Sequence, residues 1–522
     1  MVRQTPITRR LFFKTGGAAI GTGALAAFLN ACGASGTATT ASGSGGSGAA
    51  TTAPTARPAG TTAAAGSAAP SGSGVPAGGG AAAGSTAAAQ GTPVGVSNLK
   101  PPKNPNAIKI SWWFGLGGVL GKAIETLTEQ FNDSQSEIYV EAIYQGNYDD
   151  TLNKYKAGLP GKQTPNLLQV YDVGLRFMLD SKSVEPMQTL IDASKFDTSN
   201  FEPALLNYYS IDKKLVGMPF NSSAPLLYYN KKLFSEAGLD PSAPPKTWED
   251  ALTVGEKLIK KDATGKVSQY GLAIPIDSWY FEQWMYAQNA LLVDNENGRA
   301  NRATKTFLNG ENGVKILEWW KSTIDKGVGT NLGRSGSETQ KAFAASQIAM
   351  TFDSTAAMRG IVNGVGDKFE VGAGYLLRPA ATLDQGGVAI GGAAVYIMKD
   401  KADREKEATW KFVQWLVQPE QQAAWHVATG YYPVRKESYN LPVVQDNTKK
   451  YPQFTTAIDQ LRASKQTPAT AGTVMGPFTQ ARAIINTAVE EALLGKATPQ
   501  AALDKATADI NQALDLYNAS VR

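Results

Sequence analysis

Cysteine and histidine are nearly absent from this 522-residue chain, which contains only Cys32 and His426. A single cysteine cannot form a disulfide within the chain, so the folded part must be stabilised by a hydrophobic core. A single histidine cannot build a multi-histidine metal site, and any Ser-His-Asp triad would depend on His426 alone. His426 follows Trp425 in an apolar segment, which predicts a packed or capping histidine. We therefore predict a protein that is not an enzyme, with no catalytic residue, metal site or cofactor.

Complete nucleotide-binding loops are also absent. Residues 158–164 resemble a phosphate loop but lack its final Lys-Ser/Thr pair, and the glycines of residues 115–118 fail the dinucleotide spacing. The sequence leaves open the alternative of a carboxylate pair for glycoside hydrolysis, because any two of the 45 acidic residues could meet in the fold.

The first 31 residues contain no acid and four basic residues, and their apolar stretch is too short and too poor in Leu and Ile for a membrane span. The pair Arg9-Arg10, followed by Leu-Phe-Phe-Lys, and the run Leu-Asn-Ala before Cys32 resemble a twin-arginine signal joined to a lipoprotein box. This resemblance implies a signal peptide over residues 1–31, a lipidated Cys32, and export of a folded protein to the extracytoplasmic face of the membrane.

The net charge of +5 is mostly located in this leader. Removal of its four positive charges leaves a mature chain of nearly neutral charge. Such a chain gives no reason to predict nucleic acid or a polybasic membrane-binding face.

Residues 33–99 consist almost entirely of Gly, Ala, Ser, Thr and Pro, with Arg57 as the only charge. This composition cannot bury enough apolar surface to offset its conformational entropy. We predict a disordered tether over residues 32–102, with a mean span of about 45 Å.

The composition becomes globular from residue 103. Residues 108–113 predict a strand, Leu120, Ile124, Leu127 and Phe131 follow helical spacing, and strands are predicted again at 137–143 and 166–171. This alternation predicts an α/β fold with a parallel sheet. Thr247 predicts a helix N-cap, and Thr498-Pro499 predicts the start of a final helix. The length favours two domains.

The stretch Pro-Phe-Asn-Ser-Ser-Ala-Pro-Leu-Leu-Tyr-Tyr-Asn-Lys at residues 219–231 resembles the extracellular solute-binding proteins of sugar-type ABC importers, most closely the members that bind glycerol 3-phosphate. Residues 144–148, 168–174, 390–393 and 425–431 are similar to the same group. The resemblance implies a two-lobed periplasmic-binding-protein fold of class II, each lobe a sheet flanked by helices, with the ligand between the lobes. Lobe 1 is predicted over 103–219 and 391–430, and lobe 2 over 220–390 and 431–522.

The resemblance also implies a set of ligand contacts. The phosphate-binding positions of the family fall on Ser223, Ser354, Gly392, Tyr431 and Arg482. The polyol-binding positions fall on Tyr148 and Asp172. An arginine fork, hydroxyl groups and a glycine N–H suit phosphate oxygens, and a carboxylate accepts hydrogen bonds from hydroxyl groups.

Two departures from the family pattern concern the same pocket. Asp172 replaces a glutamate, and Ile276 stands where a tryptophan closes the pocket of the glycerol-phosphate binders. Ile276 would leave room for a larger head group, as in a glycerophosphodiester, unless Trp279 or Tyr280 fills that space. The predicted pocket-lining residues are Trp113, Ile276 and Trp279.

We therefore predict a monomeric, lipid-anchored receptor that delivers glycerol 3-phosphate or a glycerophosphodiester to the membrane subunits of an ABC permease. One alternative is a binder of neutral oligosaccharides, with Trp112, Trp113, Trp279 and Trp284 as stacking platforms. Another, from a different functional class, is a surface hydrolase of cell-wall or phospholipid fragments.

Overall fold

A computed structural model describes residues 94–521, and all of them belong to one compact unit. The predicted signal peptide, Cys32 and most of the predicted tether lie outside these residues. Within the described part, two sheets of mixed strand direction form the framework, and helices flank both of them.

The first sheet has six strands in the order β1-β3-β2-β4-β14-β7. Strands β2, β3 and β4 run parallel, whereas β1, β14 and β7 pair antiparallel with their neighbours. The strands are β1 Gly95–Val96, β2 Ile108–Phe114, β3 Ile138–Tyr144, β4 Leu167–Tyr171, β7 Met218–Ser223 and β14 Gly391–Ile397.

The second sheet has the order β11-β10-β12-β8-β13, and the short strand β9 pairs with β10. Strands β10, β11 and β12 are parallel, and β8 is antiparallel to both β12 and β13. These strands are β8 Pro225–Asn230, β9 Lys260–Lys261, β10 Val267–Ala273, β11 Gly329–Thr330, β12 Ile348–Ser354 and β13 Val371–Gly374, while β5 Ser210–Ile211 and β6 Lys214–Leu215 form a separate hairpin.

The helices follow the strands in both halves. They are α1 Gly118–Ser134, α2 Tyr148–Gly158, α3 Leu175–Ser181, α4 Met187–Ser194, α5 Pro203–Tyr208, α6 Lys231–Glu236, α7 Trp248–Lys257, α8 Ser278–Ala287, α9 Glu311–Asp325, α10 Gly336–Ala344, α11 Met358–Val365, α12 Asp403–Leu416, α13 Pro419–Thr429, α14 Pro442–Lys450, α15 Gln453–Ala463, α16 Phe478–Leu493 and α17 Pro499–Ser520. Short 3₁₀ turns lie at Asp172–Gly174, Thr355–Ala357, Ala380–Thr382 and Lys436–Asn440.

The predicted strands at the start of the globular part are confirmed, but the prediction of a parallel sheet is only half right. Strand, helix and strand alternate through β4, which builds the parallel part. The chain then adds β7 and β14 from distant positions in antiparallel directions, and local patterns cannot indicate that pairing.

The chain passes between the two sheets at Ala224. Strand β7 ends at Ser223 in the first sheet, and β8 begins at Pro225 in the second. The predicted lobe boundary after residue 219 therefore falls inside β7. The chain returns to the first sheet between β13 and β14.

The predicted tether is too long at its C-terminal end. Gly95 and Val96 pair antiparallel with Tyr144 and Ile143, and the N–H of Ser97 donates to Ala142. The two β-branched residues Val94 and Val96 in this stretch favour a strand, a signal that the overall composition obscured.

Local capping signals are confirmed. The side chain of Thr247 accepts from the N–H of Asp250, whose own side chain accepts from the N–H of Thr247, so α7 begins with a capping box. Thr498, which directly precedes Pro499, caps α17 because its side chain accepts from the N–H of Ala501.

Two of the four tryptophans proposed as sugar platforms lie in the core. Trp112 is 0% exposed and packs against Phe220 and Phe412. Trp284 is also 0% exposed, within a cluster that includes Trp320. The prediction that these two rings stack on a ligand is wrong, because both rings are completely buried in the core.

Within residues 94–521, no helix is long and apolar enough to cross a membrane. In the same part of the chain, no group of three or more His, Cys, Asp or Glu side chains is arranged to hold a metal ion.

Candidate ligand-binding site

The seven residues predicted to contact ligand lie where the two sheets meet. Asp172 directly follows β4, Ser223 ends β7, Gly392 lies in β14, and Ser354 ends β12. Strand register puts Ser223 opposite Gly391 and Tyr171 opposite Ala393, so the ends of β4, β14 and β7 are adjacent. The remaining three, Tyr148, Tyr431 and Arg482, approach from α2, from the segment after α13, and from α16.

Arg482 forms the centre of a buried cluster of charges. Its Nε and Nη2 donate to the two carboxylate oxygens of Glu282 at 2.7 and 2.8 Å. Its Nη2 also donates to Asp172 at 2.5 Å, and its Nη1 lies 3.4 Å from the other oxygen of Asp172. The exposed fractions of Arg482, Asp172 and Glu282 are 4%, 6% and 1%. The Arg482–Asp172 pair links α16 to the end of β4.

The electrostatics of this cluster follow from its composition of two carboxylates and one guanidinium. Burial opposes the charge of Arg482, but the two carboxylates more than compensate and hold its pKa well above the usual value. Burial raises the pKa of Asp172, against the effect of Arg482. Burial, with a further contribution from Asp172, raises the pKa of Glu282 to about 7, although Arg482 acts in the opposite direction.

A chain of buried amides orients Tyr148. The N–H of Gly115 donates to Gln169 Oε1 at 2.9 Å, and Gln169 Nε2 donates to Asn221 Oδ1 at 2.9 Å. Asn221 Nδ2 then donates to the hydroxyl of Tyr148 at 2.7 Å. Gly115, from the glycine stretch that failed the dinucleotide spacing, thus contributes to the positioning of a tyrosine instead.

Tyr148 and Tyr431 contact each other through their hydroxyl groups, and each ring stacks on another aromatic side chain. Their hydroxyl oxygens are 3.4 Å apart, Tyr148 stacks on Tyr171 at 5.1 Å, and Tyr431 stacks on Trp425 at 5.5 Å. Burial is the main cause that raises the pKa of both tyrosines, so both hydroxyls stay protonated at neutral pH.

The prediction that His426 is a packed residue is confirmed. Its Nδ1 lies 2.7 Å from the carbonyl oxygen of Tyr431, which fixes the proton on Nδ1. Burial lowers the pKa of His426 to about 4, so the imidazole is neutral at physiological pH. The only histidine of the chain supports the backbone of a candidate site residue.

The small residues of the set have local structural roles. Gly392 has φ +89°, and a Cβ at this position would lie 2.0 Å from the carbonyl oxygen of Asn221. The hydroxyl oxygen of Ser354 accepts from the N–H of Ala356, which leaves its own proton available for another acceptor. The N–H of Thr355 donates to Ala224, so Ser354 lies beside the crossing that follows Ser223.

The predicted pocket-lining residues lie in different surroundings. Trp279 packs against Gly391, because a Cβ on that glycine would meet the indole at 2.6 Å. Ile276 is buried, and its N–H donates to Gly333 at 2.9 Å. Trp113 is half-buried in β2. Trp279 thus contacts the residue next to Gly392, across the junction of the sheets.

Sequence reasoning missed Glu282 and Asn221. Glu282 is the only acid within the aromatic-rich helix α8, all of whose residues are buried, and a lone acid in such a segment is a signal of a buried ion pair. Two further hydroxyls near Asp172, those of Tyr209 and Tyr396, are buried and have no hydrogen-bond partner among residues 94–521. Buried hydroxyls usually have partners, so these two could accept or donate to a polar ligand.

The two sheets, their flanking helices and the polar junction between them give this chain the fold of the two-lobed binding proteins. The structure of UgpB from Mycobacterium tuberculosis in complex with glycerophosphocholine matches with a TM-score of 0.66 at 21% identity, over 80% of this chain and 98% of that one. The sugar-binding protein MalE from Xanthomonas citri matches with a TM-score of 0.64 at 20% identity, over 78% and 97%. The predicted fold class is thereby confirmed.

The family follows from the sequence. A model of the bacterial extracellular solute-binding protein family matches residues 126–456, and the chain belongs to this family. The sn-glycerol-3-phosphate-binding periplasmic protein UgpB of Escherichia coli K12 is 34% identical over 419 residues, which cover 79% of this chain and 94% of the relative. The chain is therefore a solute-binding component of a transport system, not an enzyme.

Proposed function

We propose that this chain is the substrate-binding component of an ABC importer and binds glycerol 3-phosphate or a glycerophosphodiester. The observation that carries the proposal is the buried guanidinium of Arg482 at the junction of the two sheets. The similarity to UgpB of Escherichia coli and to the glycerophosphocholine complex supports the same ligand class.

The phosphate group would bind to donors that come from both sheets. Arg482 supplies a planar fork for phosphate oxygens, and its Nη1 is the nitrogen with the weakest contact in the cluster. Ser223, Ser354 and Tyr431 add hydroxyl donors, and Gly392 adds an N–H that no side chain obstructs.

The glycerol part would bind beside Tyr148 and Asp172. Asp172 accepts from hydroxyl groups, although its side chain is one methylene shorter than the glutamate of the family pattern. The hydroxyls of Tyr209 and Tyr396, which have no partner within the described part of the chain, offer further contacts. An aliphatic Ile276 in place of tryptophan would leave space for the head group of a diester.

Ligand contacts on both sides would favour a closed arrangement of the two lobes. A ligand shifts such an equilibrium only through a difference in its affinity for the two states. Asp172, at the end of β4, and Arg482, on α16, belong to the two different sides, so one ligand that binds both stabilises closure.

Cys32 would anchor the protein to the membrane through lipid, beside the permease subunits that receive the ligand. The twin-arginine motif and the Leu-Asn-Ala-Cys run support this part of the proposal. Replacement Cys32→Ser is expected to release the protein from the membrane fraction, and mass spectrometry of the mature N-terminus would detect the lipid. An unmodified N-terminus in a membrane-bound protein would contradict the anchor.

Titration calorimetry tests the ligand class directly. The chain is titrated with glycerol 3-phosphate, glycerophosphocholine and maltose under identical conditions. Saturable heat with a phosphate ester and none with maltose is the expected result. No heat with either phosphate ester would contradict the proposal.

A neutral oligosaccharide is the second candidate, and the pairing of Arg482 with two carboxylates favours it. An arginine already neutralised by Asp172 and Glu282 offers less attraction to an anion. Arg482→Lys separates the two candidates, because lysine keeps a positive charge for the carboxylates but loses the bidentate fork. Phosphate-ester binding should weaken strongly, whereas sugar binding should change little.

A further inference from the structure

The charge balance around Arg482 is unfavourable for an anionic ligand. One guanidinium contacts two carboxylates, and all three groups are almost completely buried. A third carboxylate, Asp149, lies close enough to interact with Arg482 and accepts from the hydroxyl of Tyr171. A phosphate ester would add at least one more negative charge at short range and low dielectric, where repulsion between like charges is strong.

Glu282 is the carboxylate best placed to remove this excess charge. It contacts Arg482 from α8, which packs against α16, so this pair can stay together when a ligand enters. Asp172, in contrast, contacts Arg482 from the opposite side and is itself a proposed ligand contact. A protonated Glu282 keeps a carbonyl oxygen that accepts from Arg482 Nε, so the fork stays oriented after the charge is lost.

We propose that Glu282 takes up a proton from solvent when a phosphate ester binds at Arg482, which makes ester binding weaken as the pH rises. This inference rests on the proposed function, since it concerns the same site. Glu282 is a positioning residue here, because it acts on the ligand through Arg482.

The surroundings of Glu282 leave few other groups to account for such a pH dependence. The other ionisable side chains around Glu282, Asp172 and Arg482 are two carboxylates and five tyrosines: Asp149, Asp277, Tyr171, Tyr208, Tyr209, Tyr286 and Tyr396. Burial raises the pKa of the five tyrosines, so they remain neutral. Helix α9 approaches α8 with the uncharged residues Gly313 and Trp320.

The pKa of Glu282, raised to about 7 mainly by burial, sets the pH window. Above about pH 7 the Glu282 carboxyl loses its proton in the free protein but keeps it in the complex. By linkage, the association constant then falls by up to about tenfold per pH unit. His426, whose pKa is lowered to about 4, does not titrate in this window.

The experiment measures glycerophosphocholine binding to the full-length chain between pH 7 and 9. The phosphodiester of this ligand keeps its single negative charge and the choline group its single positive charge throughout, whereas a phosphate monoester titrates near pH 6. Calorimetry in two buffers of different ionisation enthalpy gives the number of protons taken up, and we expect a value approaching one at pH 8. This measurement needs no variant.

Glu282→Gln should abolish both the proton uptake and the pH dependence, because the amide keeps the acceptor for Arg482 but cannot be charged. At pH 9 its affinity should be at least tenfold higher than that of the unmodified chain. Asp353→Asn is the matched control. Asp353 is a buried carboxylate next to Ser354, and burial raises the pKa of Asp353 to about 6. Its replacement should therefore leave the pH dependence above pH 7 intact.

The outcomes separate the two proposals. Diester binding of equal affinity from pH 7 to 9, or without proton uptake, overturns the role of Glu282 and leaves the proposed function in place. Retention of the full pH dependence in Glu282→Gln also overturns it. No diester binding at any pH overturns the proposed function itself, and the inference fails with it.

Discussion

Most of the buried polar groups around the candidate site are held by specific hydrogen-bond partners. Asn221 is the clearest example: it is 0% exposed, accepts from Gln169 and donates to Tyr148. A buried donor or acceptor without a partner costs about 1–3 kcal/mol. Asn221 therefore contributes both to stability and to the orientation of Tyr148.

Asn221→Ala should lower the free energy of unfolding by about 2 kcal/mol, because Gln169 loses its acceptor and Tyr148 loses its donor. Denaturant titration measures this change. Asn363→Ala, an exposed replacement in α11, is the control and should change stability by less than about 0.5 kcal/mol. Equal stability of the two variants would show that the amide chain is not a structural element.

At the scale of elements, the site depends on how closely β14 approaches β7. Gly392 permits that approach, since its positive φ and its contact with the Asn221 carbonyl both exclude a side chain. The register of the pair shifts between Ala393 and Ala394, next to this glycine. An irregularity of this kind changes the direction of a strand and commonly lies near functional sites.

Gly392→Ala should destabilise the protein by about 3 kcal/mol or more, from backbone strain and from the clash with β7. Gly364→Ala is the matched control, because Gly364 lies in helix α11 with open space around it. The control should be neutral or stabilise by up to about 1 kcal/mol. Thermal unfolding of both variants tests the prediction, and a Gly392→Ala protein as stable as the control would contradict it.

The elements differ in how well the sequence predicted them. The strands from β2 to β4 and the caps at Thr247 and Thr498 follow from local periodicity and capping residues. The position of β14 between β4 and β7, and that of β7 at the sheet edge, depend on long-range pairing, which local patterns do not encode. Likewise, the candidate residues came from resemblance to a family, whereas the ion pair of Glu282 with Arg482 joins residues 200 positions apart.

At the scale of the whole molecule, a second ionic contact joins the two sides. Asp180, on α3 after β4, accepts from Arg302 and from the hydroxyl of Tyr517 on α17. It also accepts from Arg176 on its own helix. We call these four residues the Asp180 cluster. It stabilises the arrangement seen here from a position outside the proposed ligand contacts.

Arg302→Ala should weaken ligand binding about fivefold, since the arrangement of the two sides seen here, in which the proposed ligand contacts lie together, loses an ion pair worth about 1 kcal/mol. Arg176→Ala is the control, because Arg176 pairs with the same carboxylate but within α3. It should leave the dissociation constant within about twofold. If both variants bind equally, the Asp180 cluster does not contribute to closure; small-angle scattering of the unliganded variants checks the same point independently.

The central claim is that a phosphate ester binds between the two sheets at Arg482. A crystal structure of the chain grown with glycerol 3-phosphate tests it most directly. We predict ligand density at the junction, with phosphate oxygens bonded to Arg482 and Ser223 and the glycerol hydroxyls beside Tyr148 and Asp172. A phosphate bound elsewhere, or a junction in which Asp172 and Glu282 still occupy the whole Arg482 fork at saturating ligand, would contradict the claim.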